Sequence, residues 1–144
     1  MNRIIIFCGP PCSGKTTKSK ALSSKIKITR LSVDETCEKL YGNKILSELE
    51  RDLAYKEIHE SAEKIIQSNQ DVILDGTYAR DKQRDAISLV ALANNAVLEI
   101  NECYVSPDDA VKRFLERENH FAKDLTEERV KFLAETYPYN WSLR

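Results

Sequence analysis

The sequence predicts one α/β domain built around a mostly parallel β-sheet. Short apolar runs alternate with longer segments of helical periodicity, and no repeat, low-complexity tract or flexible linker interrupts them. The first run is continuously apolar over Ile4–Cys8, which is typical of a strand that is covered on both faces. Strands separated by helices of this length imply right-handed crossovers and therefore parallel pairing.

Length, composition and charge restrict the class of protein further. A chain of 144 residues fits a single domain spanning 1–144, and 42% hydrophobic with 31% charged residues is a globular composition. Because 22 basic residues face 23 acidic ones, no overall positive field attracts nucleic acid or an anionic membrane. The run Ile4–Cys8 is too short to cross a bilayer or to form a secretory signal, so we expect a cytoplasmic protein.

The predicted order of elements is β-α-β-α-β-α-β-α-α. A capping box of Ser47 and Glu50 marks the start of the second helix. Ser106 followed by Pro107 marks another helix, and Thr126 opens a last helix that extends to about Thr136. The strand candidates are Met1–Cys8, Lys27–Val33, Asp71–Leu74 and Ala96–Val105. The apolar stripe predicted for the second helix consists of Leu49, Leu53, Ala62, Ile65 and Ile66.

The segment Gly9–Thr16 carries the most specific chemical signal in the chain. It reads GPPCSGKT, matches G-x-x-x-x-G-K-[ST], and lies between the first strand and the first helix. Gly9 and Gly14 allow the backbone amides to turn toward phosphate oxygens, Lys15 can reach the β and γ phosphates, and Thr16 is placed to ligate Mg²⁺. The residues predicted to bind a nucleotide here are Gly9, Pro10, Pro11, Cys12, Ser13, Gly14, Lys15, Thr16 and Thr17.

Two carboxylates follow predicted strands. Asp34 comes after Leu31–Val33 and Asp75 after Val72–Leu74, and ligands gather at the carboxyl ends of strands in open α/β sheets. Asp34 has the alternative of capping the helix that follows it, although a catalytic role is favoured. Asp75 precedes Gly76, so a turn role competes with a metal role on nearly equal terms.

Four arginines form two i, i+4 pairs, Arg80 with Arg84 and Arg113 with Arg117. Arginine can follow the charge that develops on a transferring phosphoryl group, and ordinary surface ion pairs are the alternative. Arg117 is the strongest candidate, since it begins a polar segment at about 117–125 that could act as a lid, and Arg84 is the next.

The four cysteines show no C-x-x-C spacing, and the chain has only two histidines. We therefore expect structural thiols and set aside a zinc site or a disulfide. Tyr139 and Trp141 near the end of the chain are interpreted as core aromatics that cover the sheet. The alternative is a surface for a partner.

These residues resemble the small P-loop kinases related to polynucleotide kinase, chloramphenicol phosphotransferase and the zeta toxins. The resemblance rests on the GPPCSGKT loop, the strand-end Asp34, the segment Asp75–Tyr78, the Ser106–Pro107 helix start and the ending Glu135–Tyr139. It implies a three-layer α/β/α sandwich with a sheet of four or five strands in the order 2-3-1-4. It also implies ATP and Mg²⁺ as the nucleotide and the metal.

In this order Asp75 would lie near the metal, together with Thr16, and Asp34 farther out beside the acceptor. By resemblance, Asp34 matches the aspartate that accepts the proton of the acceptor hydroxyl, and Arg117 matches a lid arginine that contacts ATP phosphates. The other cations expected to bind the ATP phosphates or to stabilise the charge that develops during transfer are Lys15, Arg84 and Arg113. Choice of ATP over GTP stays open.

The chain departs from the polynucleotide kinases at Cys37, where they carry an arginine that holds the phosphate of the substrate. It also stops soon after Tyr137–Trp141, so either the sheet has four strands or a partner completes it. The sequence thus favours an ATP-dependent kinase that phosphorylates a hydroxyl of a small molecule. The alternatives are a polynucleotide 5′-hydroxyl kinase, a toxin-like kinase acting on an activated sugar, and a regulatory ATPase that transfers nothing. The oligomeric state stays open.

Overall fold

The computed structural model describes residues 1–117 and 125–141. Strand β1 spans Arg3–Cys8, β2 spans Thr29–Ser32, β3 spans Val72–Asp75 and β4 spans Val97–Glu102. These strands pair in parallel in the order β2-β3-β1-β4, which confirms the predicted sheet.

The helices lie between and after the strands. Their bounds are Lys15–Ile26 for α1, Val33–Tyr41 for α2, Glu48–Gln67 for α3, Asp81–Ala93 for α4, Pro107–Glu116 for α5 and Glu127–Thr136 for α6. Two helices, α2 and α3, lie between β2 and β3, where the sequence predicted one. The predicted helix starts are confirmed at Ser47, Ser106 and Thr126, whose side chains all accept a backbone hydrogen bond. No helix in the described part of the chain is long and apolar enough to span a membrane.

The central strand β1 is buried on both faces, as predicted. Ile4 and Ile6 belong to the core that α3 and α4 cover, whereas Ile5 and Phe7 belong to a second core that includes Leu22 of α1. Successive side chains of a strand point to opposite faces, so the alternation defines a three-layer α/β/α sandwich.

The predicted apolar stripe of α3 is wrong in its first half. Leu49 and Leu53 are exposed, and the helix instead buries Tyr55 and Ile58 together with Ala62. Leu53 precedes Ala62 by nine residues, which at 3.6 residues per turn places the two about 180° apart on the helix. The two leucines therefore cannot share the buried face with Ala62.

Strand β2 ends earlier than predicted. Ser32 is the last strand residue, and its side chain accepts a hydrogen bond from the amide of Glu35, so α2 begins directly at Val33. The predicted strand end at Val33 is therefore wrong, and so is the alternative in which Asp34 caps the helix, because Ser32 is the capping residue. Asp34 occupies the first turn of α2, where its negative charge is favourable next to the positive end of the helix dipole.

Candidate active site

The loop Gly9–Thr16 leaves β1 and enters α1 with two glycines in the left-handed region of the backbone. Gly9 has φ 148°, and a Cβ atom there would lie 2.5 Å from the carbonyl oxygen of Cys103. Gly14 has φ 94°, but a Cβ atom would meet no described atom within 4 Å. Close packing therefore requires Gly9, while backbone conformation favours glycine at Gly14.

The start of α1 is open to an anion. Gly14 is its N-cap residue and provides no side-chain hydrogen bond, and the first turn carries no acidic residue. By contrast, Ser or Thr side chains cap α2, α3, α5 and α6. Free amides and the positive end of the dipole at this helix start fit a phosphate group.

Lys15 is the first residue of α1, and its side chain folds back over the loop. Its Nζ donates hydrogen bonds to the carbonyl oxygens of Gly9 and Pro10, each at 3.0 Å. Burial lowers the pKa of the Lys15 ammonium group, and the charges of Asp34 and Asp75 oppose this shift. The two predicted carboxylates therefore both act on the lysine of the loop.

Asp34 reaches solvent from the first turn of α2. Desolvation raises the pKa of its carboxyl group, while the positive charge of Lys15 opposes the rise. The charge of Asp75 raises the pKa further, and that of Arg117 lowers it. A carboxylate whose pKa is raised is a better proton acceptor than an ordinary aspartate, which suits the activation of a hydroxyl.

Asp75 is the last residue of β3, as predicted, and is 4% exposed. It lies level with Phe7 of β1 and Ser32 of β2, at the carboxyl ends of three neighbouring strands. The hydroxyl of Ser19 donates to Asp75 Oδ2 at 2.8 Å and lies 3.2 Å from the carbonyl oxygen of Thr16. Ser19 therefore joins Asp75 to α1, the helix that also carries Thr16.

The sequence analysis missed a second contact of Asp75. Nη2 of Arg30 lies 2.7 Å from Asp75 Oδ2 and forms a buried ion pair with it. The sequence did contain a sign of this ion pair, because Arg30 is a charged residue within the short strand Thr29–Ser32. Both contacts use Oδ2 of Asp75. In the described part of the chain, no group of three or more His, Cys, Asp or Glu residues could hold a metal.

Two arginines of the α5 region lie on the side of the phosphate loop. Nη1 of Arg113 donates a hydrogen bond to the carbonyl oxygen of Cys12 at 3.0 Å. Arg117 follows the last turn of α5, and its charge lowers the pKa values of the Asp34 carboxyl and the Cys12 thiol. The structure thus brings both predicted arginines toward the loop. The remainder of the predicted lid, 118–124, lies outside the described residues.

The structure does not bring Arg84 to the phosphate loop. Its side chain is buried, with Nε donating to the carbonyl oxygen of Tyr78 at 2.7 Å and Nη2 to that of Pro138 at 2.8 Å. The guanidinium carbon lies 5.1 Å from the ring centre of Trp141. Arg84 therefore joins the loop after β3 to the C-terminal segment. These contacts favour a structural role, and the catalytic role of Arg84 stays a prediction. A sequence signal existed, since Ile87 and Ala91 place Arg84 on the buried face of α4.

The other predicted pair member, Arg80, precedes α4 and forms a surface ion pair with Glu48. This contact agrees with the alternative of an ordinary solvated pair.

The C-terminal aromatic residues form part of the core. Trp141 is buried and stacks on Tyr78, with ring centres 5.5 Å apart. The hydroxyl of Tyr137 donates to the carbonyl oxygen of Thr77, which also accepts a hydrogen bond from the amide of Gly9 at 3.4 Å. The core interpretation is confirmed for Trp141, and this segment also supports the phosphate loop.

The cysteines are free, and three of the four are buried. Burial raises the pKa values of Cys8 and Cys37 to about 11, so both thiols are protonated at neutral pH. Burial also raises the pKa values of Cys12 and Cys103. Cys8 packs in the core of the sheet, as expected for a structural thiol.

A parallel sheet of order 2-3-1-4, with a phosphate-binding loop between its central strand and the next helix, defines the P-loop NTPase fold. A protein-family model described as an AAA domain, AAA_33, matches residues 4–138. The chain therefore belongs to this AAA-domain family. No curated protein sequence matches the chain.

Solved structures extend the comparison. A candidate kinase from Chloroflexus aurantiacus j-10-fl superposes with a TM-score of 0.73 at 26% identity, covering 81% of this chain and 66% of that one. A structure of the Pnkp1/Rnl/Hen1 RNA repair complex superposes with a TM-score of 0.74 at 17% identity. The match covers 99% of this chain and 46% of that one. A gluconokinase from Sinorhizobium meliloti 1021 superposes with a TM-score of 0.66 at 18% identity. The match covers 91% of this chain and 72% of that one.

The resemblance to P-loop kinases is thus confirmed for family and fold. The chain spans less than two thirds of the length of the first two structures. Two of these structures are described as kinases.

Proposed function

We propose that this protein is an ATP-dependent kinase that transfers the γ-phosphoryl group to a hydroxyl group of a small molecule. One observation carries the proposal: Ser32, which caps the start of α2, lies level with Asp75, and Asp75 lies level with Phe7 at the end of β1, from which the phosphate loop leaves. Asp34 lies in the first turn of α2, and the positive charge of Lys15 opposes the rise in its pKa. A phosphate held by the loop and a hydroxyl held by Asp34 would therefore be neighbours. Positioning and charge stabilisation are what phosphoryl transfer demands of a protein.

The phosphate side of the site is assigned to the loop and α5. The backbone amides of the loop and the ammonium group of Lys15 would bind the triphosphate, with Arg113 and Arg117 adding positive charge beside Cys12. Arginine suits this role because its planar fork matches phosphate oxygens. The loop segment around Thr17 completes the predicted nucleotide contacts.

Magnesium would be held by the hydroxyl of Thr16 and, directly or through water, by Oδ1 of Asp75. Magnesium commonly keeps several waters and takes only one or two carboxylates besides phosphate oxygens. One hydroxyl and one carboxylate, on the neighbouring elements α1 and β3, fit that habit. When bound, the ion neutralises charge on the β and γ phosphate oxygens.

The transfer step is assigned to Asp34. Its carboxylate would orient the acceptor hydroxyl and take its proton while the new oxygen–phosphorus bond forms. The bond between the γ phosphorus and the bridging oxygen of ADP breaks in the same displacement, and Lys15 and Arg117 stabilise the leaving charge.

The proposed acceptor is a small molecule, because Cys37 stands at the position where the polynucleotide kinases carry an arginine that holds the phosphate of the substrate. The chain has a net charge of −1, and Cys37, one turn after Asp34, presents a protonated thiol and no positive charge. Polyanion binding depends on several positive contacts to phosphates. The likeness to the RNA repair complex is a likeness of fold at 17% identity.

The test is a panel of acceptors incubated with γ-labelled ATP and magnesium. The panel contains nucleosides, sugars, antibiotics and 5′-hydroxyl oligonucleotides, and each is tested with the wild type, Asp34→Asn and Glu38→Gln. Glu38 is an exposed acidic residue one turn further along α2 and serves as the matched control. We expect a labelled small molecule from the wild type and from Glu38→Gln, and none from Asp34→Asn.

Asp34→Asn should still bind Mg·ATP, since its carboxylate serves the acceptor. Unchanged transfer by this variant would remove Asp34 from the mechanism. Label on the oligonucleotides alone would establish the polynucleotide alternative, and ATP consumption without any labelled product would favour the regulatory ATPase.

A further inference from the structure

Arg30 forms a bridge between two acidic residues at the edge of the site; the arm to Asp75 is buried, and the arm to Glu35 is exposed. Its Nη2 lies 2.7 Å from Asp75 Oδ2, its Nη1 lies 2.8 Å from Glu35 Oε2, and its Nε donates to the hydroxyl of Ser19 at 2.7 Å. The guanidinium group thus uses all three of its nitrogen atoms. Only an arginine can satisfy three partners in this fixed planar geometry.

The bridge connects four elements of the fold. Ser19 belongs to α1, Arg30 to β2, Glu35 to α2 and Asp75 to β3. The side chains of Arg30 and Asp75 are 9% and 4% exposed, so little solvent competes with their pairing. Charge-assisted hydrogen bonds in such surroundings are directional and short.

The position of Glu35 gives the bridge its link to the chemistry. Glu35 is the neighbour of Asp34 in the first turn of α2, whereas Ser19 lies one turn after Lys15 and Thr16 on α1. A fixed distance between Glu35 and Ser19 therefore fixes the helix turn that carries Asp34 relative to the helix that carries the phosphate-binding residues.

We infer that Arg30 is a positioning residue for phosphoryl transfer, which holds the first turn of α2, and with it Asp34, in place against β3 and α1. The inference rests on the proposed function. Phosphoryl transfer is sensitive to such placement, since a displacement of about 1 Å can lower a rate about 100-fold. Arg30 itself need not contact either substrate.

The test uses two single variants that keep Asp75 paired. Arg30→Lys retains a positive charge for Asp75, but a lysine cannot reach both carboxylates in the same way. Glu35→Gln removes only the arm of the bridge that reaches α2. Arg3→Lys is the matched control, because Arg3 pairs with Asp71 at 3.2 Å at the opposite ends of the strands.

Steady-state kinetics are measured with Mg·ATP and the first panel compound that the wild type labels, per mole of folded protein. We expect kcat to fall about tenfold or more for Arg30→Lys and for Glu35→Gln, with KM for ATP within about twofold of the wild type. The double variant should lose no more kcat than the less active of the two single variants, since both changes break the same bridge. Arg3→Lys should keep the wild-type kcat.

Two outcomes separate the inference from the function on which it rests. A wild-type kcat in Glu35→Gln would overturn the inference alone, because the arm to α2 would then have no kinetic role. A loss confined to stability, with kcat per folded molecule unchanged, would overturn it as well. If the wild-type protein labels no compound in the panel, the proposed function fails and the inference fails with it.

Discussion

The ammonium nitrogen of Lys15 lies 3.0 Å from the carbonyl oxygen of Gly9, six residues earlier in the chain. Together with the hydrogen bond to Pro10, this contact joins the end of the phosphate loop to its beginning. One side chain therefore shapes the loop and supplies the charge that a phosphate would meet. Loss of Lys15 should affect both roles.

Lys15→Ala is expected to weaken Mg·ATP binding at least about tenfold and to abolish transfer, because it removes the point charge closest to the loop. Titration calorimetry measures the first effect and the labelled-ATP assay the second. Lys18→Ala, an exposed lysine of the same helix, serves as the control and should bind normally. Equal affinity in the two variants would contradict the assigned role.

Gly9→Ala should destabilise the fold more than Gly14→Ala. The new Cβ at Gly9 would lie 2.5 Å from a backbone oxygen, whereas at Gly14 only the left-handed backbone conformation is penalised. We expect a loss of about 1 to 2 kcal/mol for Gly14→Ala and a larger one for Gly9→Ala. Urea unfolding at neutral pH measures both, and a reversed order would refute the packing argument.

Arg84→Met should lower the free energy of unfolding by about 2 to 4 kcal/mol, because two buried carbonyl oxygens lose their donor. The affinity of the folded variant for Mg·ATP should stay within about twofold of the wild type. Arg80→Met, at an exposed ion pair, should cost less than about 1 kcal/mol. Normal stability combined with lost transfer would contradict the structural role and support the predicted catalytic role of Arg84.

His59 should make the stability depend on pH. Burial lowers its pKa to about 4 from 6.5, and its Nε2 lies 3.0 Å from the hydroxyl of Tyr78. The unfolded chain therefore takes up a proton at a higher pH than the folded chain does. This contribution to stability is complete above pH 6.5 and is lost as the pH falls toward 4.

Urea unfolding at pH 7 and pH 5 measures the effect. Between these values His59 should account for a loss of about 2 kcal/mol, which His59→Gln removes and His120→Gln, the variant of the only other histidine, retains. The same pH dependence in wild type and His59→Gln would show that other groups cause it.

The loop, the sheet order and most helix starts could be predicted because they depend on local patterns. Glycine spacing, capping residues such as Ser47 and Ser106, and apolar runs act over a few residues. Asp75 was placed correctly for the same reason, since it directly follows an apolar strand.

The contacts that the sequence analysis missed join distant parts of the chain. Arg84 meets Pro138 across 54 residues, and Arg30 meets Asp75 across 45, so periodicity alone did not reveal their partners. Asp34 shows an intermediate case. Its region was identified, but the early cap at Ser32 moved it from a strand end to a helix turn.

Titration calorimetry of the wild-type protein with Mg·ATP tests the central claim most directly. The account predicts binding of one nucleotide per chain, with clearly weaker binding by Lys15→Ala and unchanged binding by Asp34→Asn. A wild-type protein that takes up no nucleotide, even at millimolar concentrations with magnesium present, would contradict it.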